Sequence, residues 1–345
     1  MSGTALISGI SGQDGAYLAQ LLVSKGMRVV GTTRRPDEHS TRRLRRLGLS
    51  GDAVEIVALD LAERGVWQRL LDQVAPDEIY NLAAQSSVRA SFEAPGQTMR
   101  VNGHAVLDLL EALREANGSA RLYHASSSEM FGRARQAPQT VETPFAPVSP
   151  YAGAKLMAHV AMGTYRVAYG LFAVSGIFFN HESPLRGRDF VTRKITRTLA
   201  LQSIGHDEVL RLGNLDARRD WGFAGDYVDG MWRMLQQKTP ADHVLATGIT
   251  HSVRGFVETA ADQLGMKIGW RGAGPHEVGI DLHTGRIVAA VDTDLFRPIE
   301  PEQLVGDPGP AETALGWRRS CSFEDLVAMM VAADLADVTD AASGR

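Results

Sequence analysis

The chain opens on a short strand-like run, Thr4-Ala5-Leu6-Ile7-Ser8, which passes directly into Gly9-Ile10-Ser11-Gly12-Gln13-Asp14-Gly15 and then into a helix-like stretch, Tyr17–Lys25. Few folds accept that order. Glycines at this spacing allow a tight turn, close backbone approach to a phosphate group and tight helix–strand packing, while the helix start offers unpaired N–H groups. Further along, short apolar runs alternate with longer amphipathic stretches. Strands are expected at Thr4–Ser8, Arg28–Thr33, Val54–Leu59, Glu78–Ala83, Arg121–Ser127, Phe172–Phe179 and His243–Thr247. Helices are expected at Tyr17–Lys25, Val66–Val74, Val106–Ala116 and Tyr151–Tyr169. Near-continuous apolar strands separated by helices describe βαβ units around a parallel sheet covered on both faces.

The expected architecture is therefore α/β, a Rossmann-type doubly wound parallel sheet with a smaller C-terminal α/β lobe. After about residue 180 the pattern loosens into loops rich in Gly, Pro, Arg and Asp, including 182–189, 213–222, 269–285 and 297–310. The expected division is 1–180 for the dinucleotide domain, with a sheet strand returning near 243–248, 181–333 for the second lobe, and 334–345 as a frayed tail. A length of 345 residues with 44% hydrophobic and 22% charged side chains is enough for a large core. A net charge of -4 gives no reason to expect nucleic acid or an anionic membrane as partner. The single cysteine, Cys321, excludes an intrachain disulfide and fits a reducing compartment. With neither a signal-peptide pattern nor a span of roughly 18 apolar residues, the expected location is the cytoplasm.

The end of the second strand bears on the cofactor. It reads Gly31-Thr32-Thr33-Arg34-Arg35, where a chain that binds NAD usually places an acidic residue for the ribose 2′-hydroxyl. Two guanidiniums suit a 2′-phosphate instead, so the expected cofactor is NADP. The competing reading is a solvated basic run, because Arg42, Arg43, Arg45 and Arg46 follow. Asp60, after the third strand, is placed to accept a bond from an adenine amino group.

A second constellation lies in Tyr151-Ala152-Gly153-Ala154-Lys155, a phenol and an ammonium four residues apart on one helix face. Ser149 and Pro150 are the expected N-cap and first-turn residues. A free tyrosine, with a pKa of ~10, is a poor base at neutral pH. A nearby lysine and a positive nicotinamide ring are expected to lower it. The fifth strand ends in Ser126-Ser127-Ser128-Glu129. At the carboxyl end of a sheet these residues offer a hydroxyl for a sugar oxygen and a carboxylate for a carbon-bound proton, although three serines alone also describe a hydrogen-bonded turn. No His, Asp or Glu grouping has metal-ligand spacing, so no metal is expected.

From about Thr4 to Ala333 the chain resembles the GDP-mannose 4,6-dehydratase family of extended short-chain dehydrogenase/reductases. The resemblance is carried by Ile10-Ser11-Gly12-Gln13-Asp14-Gly15, Tyr80-Asn81-Leu82-Ala83-Ala84-Gln85-Ser86, Ser149-Pro150-Tyr151, Phe179-Asn180-His181-Glu182-Ser183-Pro184, Phe190-Val191-Thr192-Arg193-Lys194, Leu212-Gly213-Asn214-Leu215-Asp216 and Arg219-Asp220-Trp221-Gly222. It implies an internal redox dehydration of GDP-mannose to GDP-4-keto-6-deoxymannose, with NADP regenerated at each turnover. Tyr151 and Lys155 would act at the 4-hydroxyl, Glu129 at C5–H, and Ser127 as a hydroxyl beside them. The implied cofactor contacts are Gly9, Ser11, Gly12, Gln13, Asp14, Gly15, Arg34, Arg35, Asp60, Leu61, Leu82, Ala83, Gln85 and Ser86, joined by Tyr151, Lys155, His181 and Arg186. Ser86, Ser127, Ser128 and Glu129 would also face the sugar. Asn180, Val191, Lys194, Leu212, Gly213, Arg219, Arg297 and Glu300 would hold the rest of the GDP-sugar. A surface ion pair is the plain alternative for Arg219, and a satisfied half-buried imidazole that for His181.

The chain departs from the family at Ser127, where threonine is usual; losing the β-methyl implies looser positioning of the hydroxyl. The loop 34–43 resembles one that reaches a neighbouring subunit's cofactor in tetrameric relatives, so a homodimer or homotetramer is expected. The rival readings are a GDP-sugar 4-reductase or 4-epimerase of the same superfamily and, more remotely, a non-catalytic NADP-binding regulator.

Overall fold

The computed structural model describes residues 3–49, 51–63, 65–116, 119–296 and 304–342. Strands β1 (Thr4–Ser8), β2 (Arg28–Thr33), β3 (Glu55–Ala58), β4 (Glu78–Asn81), β5 (Arg121–Ser127) and β6 (Ala173–Phe178) join a seventh, His243–Leu245, in one sheet. From one edge the order is the seventh strand, β6, β5, β4, β1, β2, β3, and every pairing is parallel. The chain therefore winds one way from β1 to β3 and the other way from β4 onward. The crevice between β1 and β4 is the switch point, where such sheets bind ligands.

Burial explains why these runs become strands. Leu6, Ile7, Val30, Ile79 and Leu122 are at most 1% exposed, and alternate side chains enter separate apolar layers on the two faces. One layer includes Ile7, Leu18, Tyr80, Tyr123 and Met231; the other includes Leu6, Trp67, Leu109, Leu122 and Met162. The expected ends of β1, β2, β5 and the helix Val66–Val74 coincide with those observed. β3 is shorter than expected because it lies at the sheet edge, with only one neighbour to order it.

The second half contributes a four-stranded sheet of Ile268–Arg271, Val278–Asp281, Ile287–Val291 and Leu210–Leu212. With the helices Val191–Ser203, Val253–Asp262 and Phe323–Ala342, it encloses a core that includes Trp221, Phe256, Val257 and Met330. Two short pairings, Asn180–Glu182 with Trp221–Phe223 and Arg218–Arg219 with His251–Ser252, tie the segments after β6 to this half.

The expected fraying from Asp334 is corrected as far as Ala342, because helix Phe323–Ala342 continues through it. Its small residues resemble a tail in composition, yet Leu326, Met330, Asp334 and Val338 recur every four positions on one buried face. Asp334 has no exposed surface and accepts from Arg193 (Nε–Oδ2 3.0 Å, Nη2–Oδ1 2.5 Å) and from Thr196 Oγ1 (2.6 Å).

Candidate active site

The glycine loop is shaped by contacts that leave no room for side chains. Gly9 has φ +78°, and a Cβ there would lie 2.8 Å from Ala83 Cα, so the loop after β1 presses on the chain leaving β4. A Cβ on Gly15 would lie 2.5 Å from the Gly9 carbonyl oxygen, which brings helix Gln13–Ser24 directly onto the turn. Gly12 sits at the N-cap and has no side chain to cap the helix, so the amides of the first turn face the crevice. This cradle fits a dinucleotide pyrophosphate. Arg34 and Arg35 are exposed at the end of β2, as a 2′-phosphate contact requires. Asp60 Oδ1 accepts from Ala62 N at 2.9 Å and so also closes its own turn.

Behind the cradle, polar groups fix the loop after β4. Ser8 Oγ donates to Asn81 Oδ1 (2.7 Å) and accepts from Leu82 N and Ala83 N (3.2 Å each). Asn81 Nδ2 lies 3.1 Å from His124 Nδ1, and burial beside the Lys155 charge keeps His124 well below its usual pKa. A neutral imidazole there accepts from the amide. Asn102 holds Gln85 from both sides, accepting from its N–H (2.8 Å) and donating to its carbonyl (2.9 Å). Asn102 lies in a wide turn, Arg100–His104, with i→i+5 bonding. Ser86 is exposed, Leu82 and Ala83 half-buried, and Leu61 leans against the second apolar layer.

His181 and Asp14 form an ion pair across the loop. His181 Nε2 lies 2.9 Å from Asp14 Oδ2 and Nδ1 lies 2.8 Å from the Phe179 carbonyl, so both ring nitrogens face acceptors and both must donate. Burial alone would lower the imidazole pKa, but the Asp14 carboxylate raises it overall. For Asp14, burial acts upward, yet the His181 charge and hydrogen bond bring the carboxyl down to about 2. Gln13 Nε2 donates to the His181 carbonyl (3.0 Å) and Gln13 Oε1 accepts from Ser183 Oγ (2.7 Å), completing the seam. His181 is thus satisfied by protein groups while lying beside the cradle. Arg186 pairs with buried Glu182 (3.1 Å) and stacks on Phe190, 3.6 Å from the ring centroid.

Ser149 Oγ accepts from Ala152 N (3.1 Å) and Pro150 occupies the first turn, as expected, so helix Pro150–Tyr169 starts where Tyr151 meets the end of β5. The Ser127 side chain lies close enough to Tyr151 to favour its phenolate, and Ser127 Oγ accepts from Glu129 N (3.3 Å). Glu129 is half-buried on a short turn, Ser128–Met130, close enough for its charge to act on Tyr151. Ser128 is buried.

The expectation of a depressed Tyr151 pKa is not met by the chain alone. Burial pushes the phenol up to about 12, and the Glu129 charge adds to that; the Ser127 side chain and Arg186 act the other way. Lys155 Nζ is 5.9 Å from the Tyr151 ring centroid and donates to the Ala125 carbonyl at 2.7 Å, while its own burial lowers it to about 8. Desolvation is the largest cause of the shift for both groups.

On the far side of the crevice, Asn180 begins a short strand and is half-buried, and Val191 and Lys194 occupy the first turn of helix Val191–Ser203. Burial lowers the Lys194 pKa, opposed by Asp292 and Glu208. Leu212 is buried in the lobe core and its carbonyl accepts from Asp292 N (2.7 Å); Gly213 leaves no room for a Cβ beside the Leu295 carbonyl (2.9 Å). Arg219 is 7% exposed and donates to the Arg218 carbonyl (2.7 Å). Asp220, its sequence neighbour, instead accepts from Thr247 and Gly248. Arg297 and Glu300 lie outside the described residues.

Several residues of the site escaped the sequence reading. Arg43 belongs to the basic run for which solvation was the competing reading; the run forms helix Glu38–Arg46, capped by Asp37 and Ser40, and Arg43 donates to the Ser11 carbonyl (2.8 Å) and the Leu185 carbonyl (2.7 Å). Nothing in an arginine run marks which member turns inward. Asn102 carried a weak signal, an Asn-Gly step breaking a helix-like stretch. Asn81 and His124 stood inside apolar strands as unexplained polar residues.

A parallel sheet in this order, with a glycine loop after β1 and Tyr151 and Lys155 on the helix that packs behind β5, defines a short-chain dehydrogenase/reductase of the extended type. The family profile described as GDP-mannose 4,6 dehydratase matches residues 6–330. The chain is 50% identical over 337 residues to GDP-mannose 4,6-dehydratase of Sinorhizobium fredii (strain HH103), covering 96% of each chain. It is 45% identical over 338 residues to the human GDP-mannose 4,6 dehydratase, covering 96% of this chain and 91% of that one. The chain belongs to the GDP-mannose 4,6-dehydratase family. Among solved structures, DesIV, a dTDP-glucose 4,6-dehydratase from Streptomyces venezuelae, superposes with a TM-score of 0.78 at 21% identity over 96% of both chains, a likeness of fold.

Proposed function

We propose that the chain converts GDP-mannose to GDP-4-keto-6-deoxymannose by internal oxidation, loss of water and reduction. The observation that carries this reading is the meeting of Tyr151, Ser127 and Glu129 at the carboxyl end of β5, beside a cradle that fits a dinucleotide. The chemistry supplied by bound NADP is reversible storage of the hydride that leaves the sugar at C4 and returns at C6, and its positive ring is the charge that brings Tyr151 into its working range. Tyr151 takes the 4-hydroxyl proton as C4 is oxidised, and Ser127 holds the same oxygen. The 4-ketone acidifies C5–H, and Glu129, half-buried beside Ser127, takes that proton. Loss of the 6-hydroxyl as water and reprotonation at C5 close the cycle, so one water leaves and the cofactor is not consumed. Lys155, bonded to the Ala125 carbonyl, keeps a cation behind the phenol.

The GDP moiety is assigned to the crevice flanked by half-buried Asn180 and Lys194 and buried Arg219, whose cationic and amide donors suit a diphosphate. Arg34 and Arg35 are assigned to the NADP 2′-phosphate. The assembly proposed is a homodimer or homotetramer that uses the 34–43 segment, of which residues 34–38 are exposed. The compartment proposed is the cytoplasm, supported by the single cysteine.

The purified protein, carrying NADP and given GDP-mannose without added reductant, is expected to form a 4-keto product visible by proton NMR. Unchanged GDP-mannose after prolonged incubation would overturn the assignment.

A further inference from the structure

The last helix, Phe323–Ala342, carries two aspartates one turn apart, and each grips an arginine that leads back to the cradle. Asp334, fully buried, pairs with Arg193, whose Nη1 donates to the Pro184 carbonyl and to the Arg186 carbonyl (3.2 Å). Asp337, one turn on, takes a two-pronged bond from Arg46 (Nη1–Oδ2 3.0 Å, Nη2–Oδ1 3.1 Å). Arg46 and Arg43 lie one turn apart on helix Glu38–Arg46. Arg43 in turn donates to the Leu185 and Ser11 carbonyls. Three successive carbonyls, those of Pro184, Leu185 and Arg186, are therefore held by two guanidiniums that answer to the same distant helix. The loop so held carries Arg186 and is joined to the glycine loop by the Ser183–Gln13 bond (2.7 Å), and the Ser11 carbonyl is the fourth point of the clasp.

We infer that the last helix holds the glycine loop in place at the dinucleotide crevice, with Asp337 and Arg46 as positioning residues for that loop and for the Leu185–Arg186 segment. The inference rests on the proposed dinucleotide site and deepens it. The geometry gives the Asp337 arm a selective role. It reaches Ser11 and Leu185 through helix Glu38–Arg46, and among the described residues no hydrogen bond joins that helix to Lys194. Arg46 and Asp337 keep 31% and 22% of their side-chain surface, so cutting this arm leaves no buried charge unpaired and the fold intact. The Asp334 arm lacks that latitude, since its removal strands Arg193 in the interior.

The test compares wild type, Asp337→Ala and the charge swap Arg46→Asp/Asp337→Arg by calorimetric titration with NADP and, separately, with GDP. Asp337→Ala is expected to weaken NADP binding about three- to fivefold, the scale of one partly exposed bidentate pair, with GDP binding within twofold of wild type. The charge swap is expected to recover most of the lost NADP affinity. Wild-type NADP affinity in Asp337→Ala would overturn the inference. So would equal weakening toward NADP and GDP, or no recovery in the swap, either of which marks a general contribution to stability. If wild type itself fails to bind NADP, the dinucleotide reading falls and takes the clasp with it, an outcome distinct from a silent Asp337→Ala.

Discussion

Tyr151 concentrates the energetic conflict in this site. It is held in a setting that favours its neutral form, with burial and the Glu129 carboxylate both raising its pKa. A phenol poised in this way is a weak base in the chain alone, and a positive nicotinamide ring beside it would favour its phenolate. Tyr151→Phe keeps the ring packing and removes the proton acceptor. Turnover is expected to fall by about 10³-fold or more with NADP affinity nearly unchanged, as single-turnover assays and titration would show. The Asp14–His181 pair gives a second residue-scale test. His181 is raised from 6.5, so its contribution to stability is complete below pH 6.5 and is lost as pH rises through the folded-state value. Asp14 is lowered from 3.8 to about 2, so its contribution is present above pH 3.8 and is lost as pH falls toward 2. The difference in thermal midpoint between wild type and His181→Asn should therefore be largest between about pH 4 and 6.5 and shrink on the alkaline side. A difference that grew with pH would mean that His181 is neutral in the folded chain.

At the scale of elements, the strand–turn–helix unit at the N-terminus depends on absent side chains. Gly9→Ala demands a β-carbon where Ala83 Cα already stands and a positive φ that alanine resists. A loss of about 2 kcal/mol or more is expected in denaturant unfolding, together with loss of NADP binding. The same unit shows where one-dimensional reading works. Helix Pro150–Tyr169 was legible down to its cap, because Ser149 and Pro150 act through bonds to residues two or three positions away. The turn at Arg100–His104 was not legible. Its function, holding Gln85 through Asn102, joins residues 17 apart in sequence that become neighbours only when helix and strand pack.

For the molecule as a whole, segments far apart in sequence meet through buried polar links as well as apolar layers, and the second half holds the clearest case. Arg193 and Asp334, 141 positions apart, are both almost fully buried and make a bidentate pair. Such a pair contributes little net stability relative to an apolar substitute, but removing one partner is severe. Asp334→Ala should cost about 3–5 kcal/mol in denaturant unfolding, because Arg193 would keep its charge without a counter-ion. A cost below about 1 kcal/mol would show that water reaches Arg193 and that the pair is not truly interior. Composition misled here: the last dozen residues resemble a disordered end, and only the partner helix Val191–Ser203 gives Asp334 a reason to be ordered.

What the sequence determined by itself is whatever depends on near neighbours and on periodicity: the alternation that makes a parallel sheet, the glycine spacing after β1, the four-residue step from Tyr151 to Lys155, and the motif strings that mark the family. These are properties of a chain segment and its solvent, and they persist in any context that buries one face. What only the tertiary structure decided is the electrostatic state of those residues and the identity of their silent partners. Tyr151 is raised rather than lowered because desolvation is set by everything packed around it. Arg43, Asn102, His124 and Asp334 acquire roles because folding brings distant carbonyls, amides and guanidiniums into a medium where an unpaired polar group is costly.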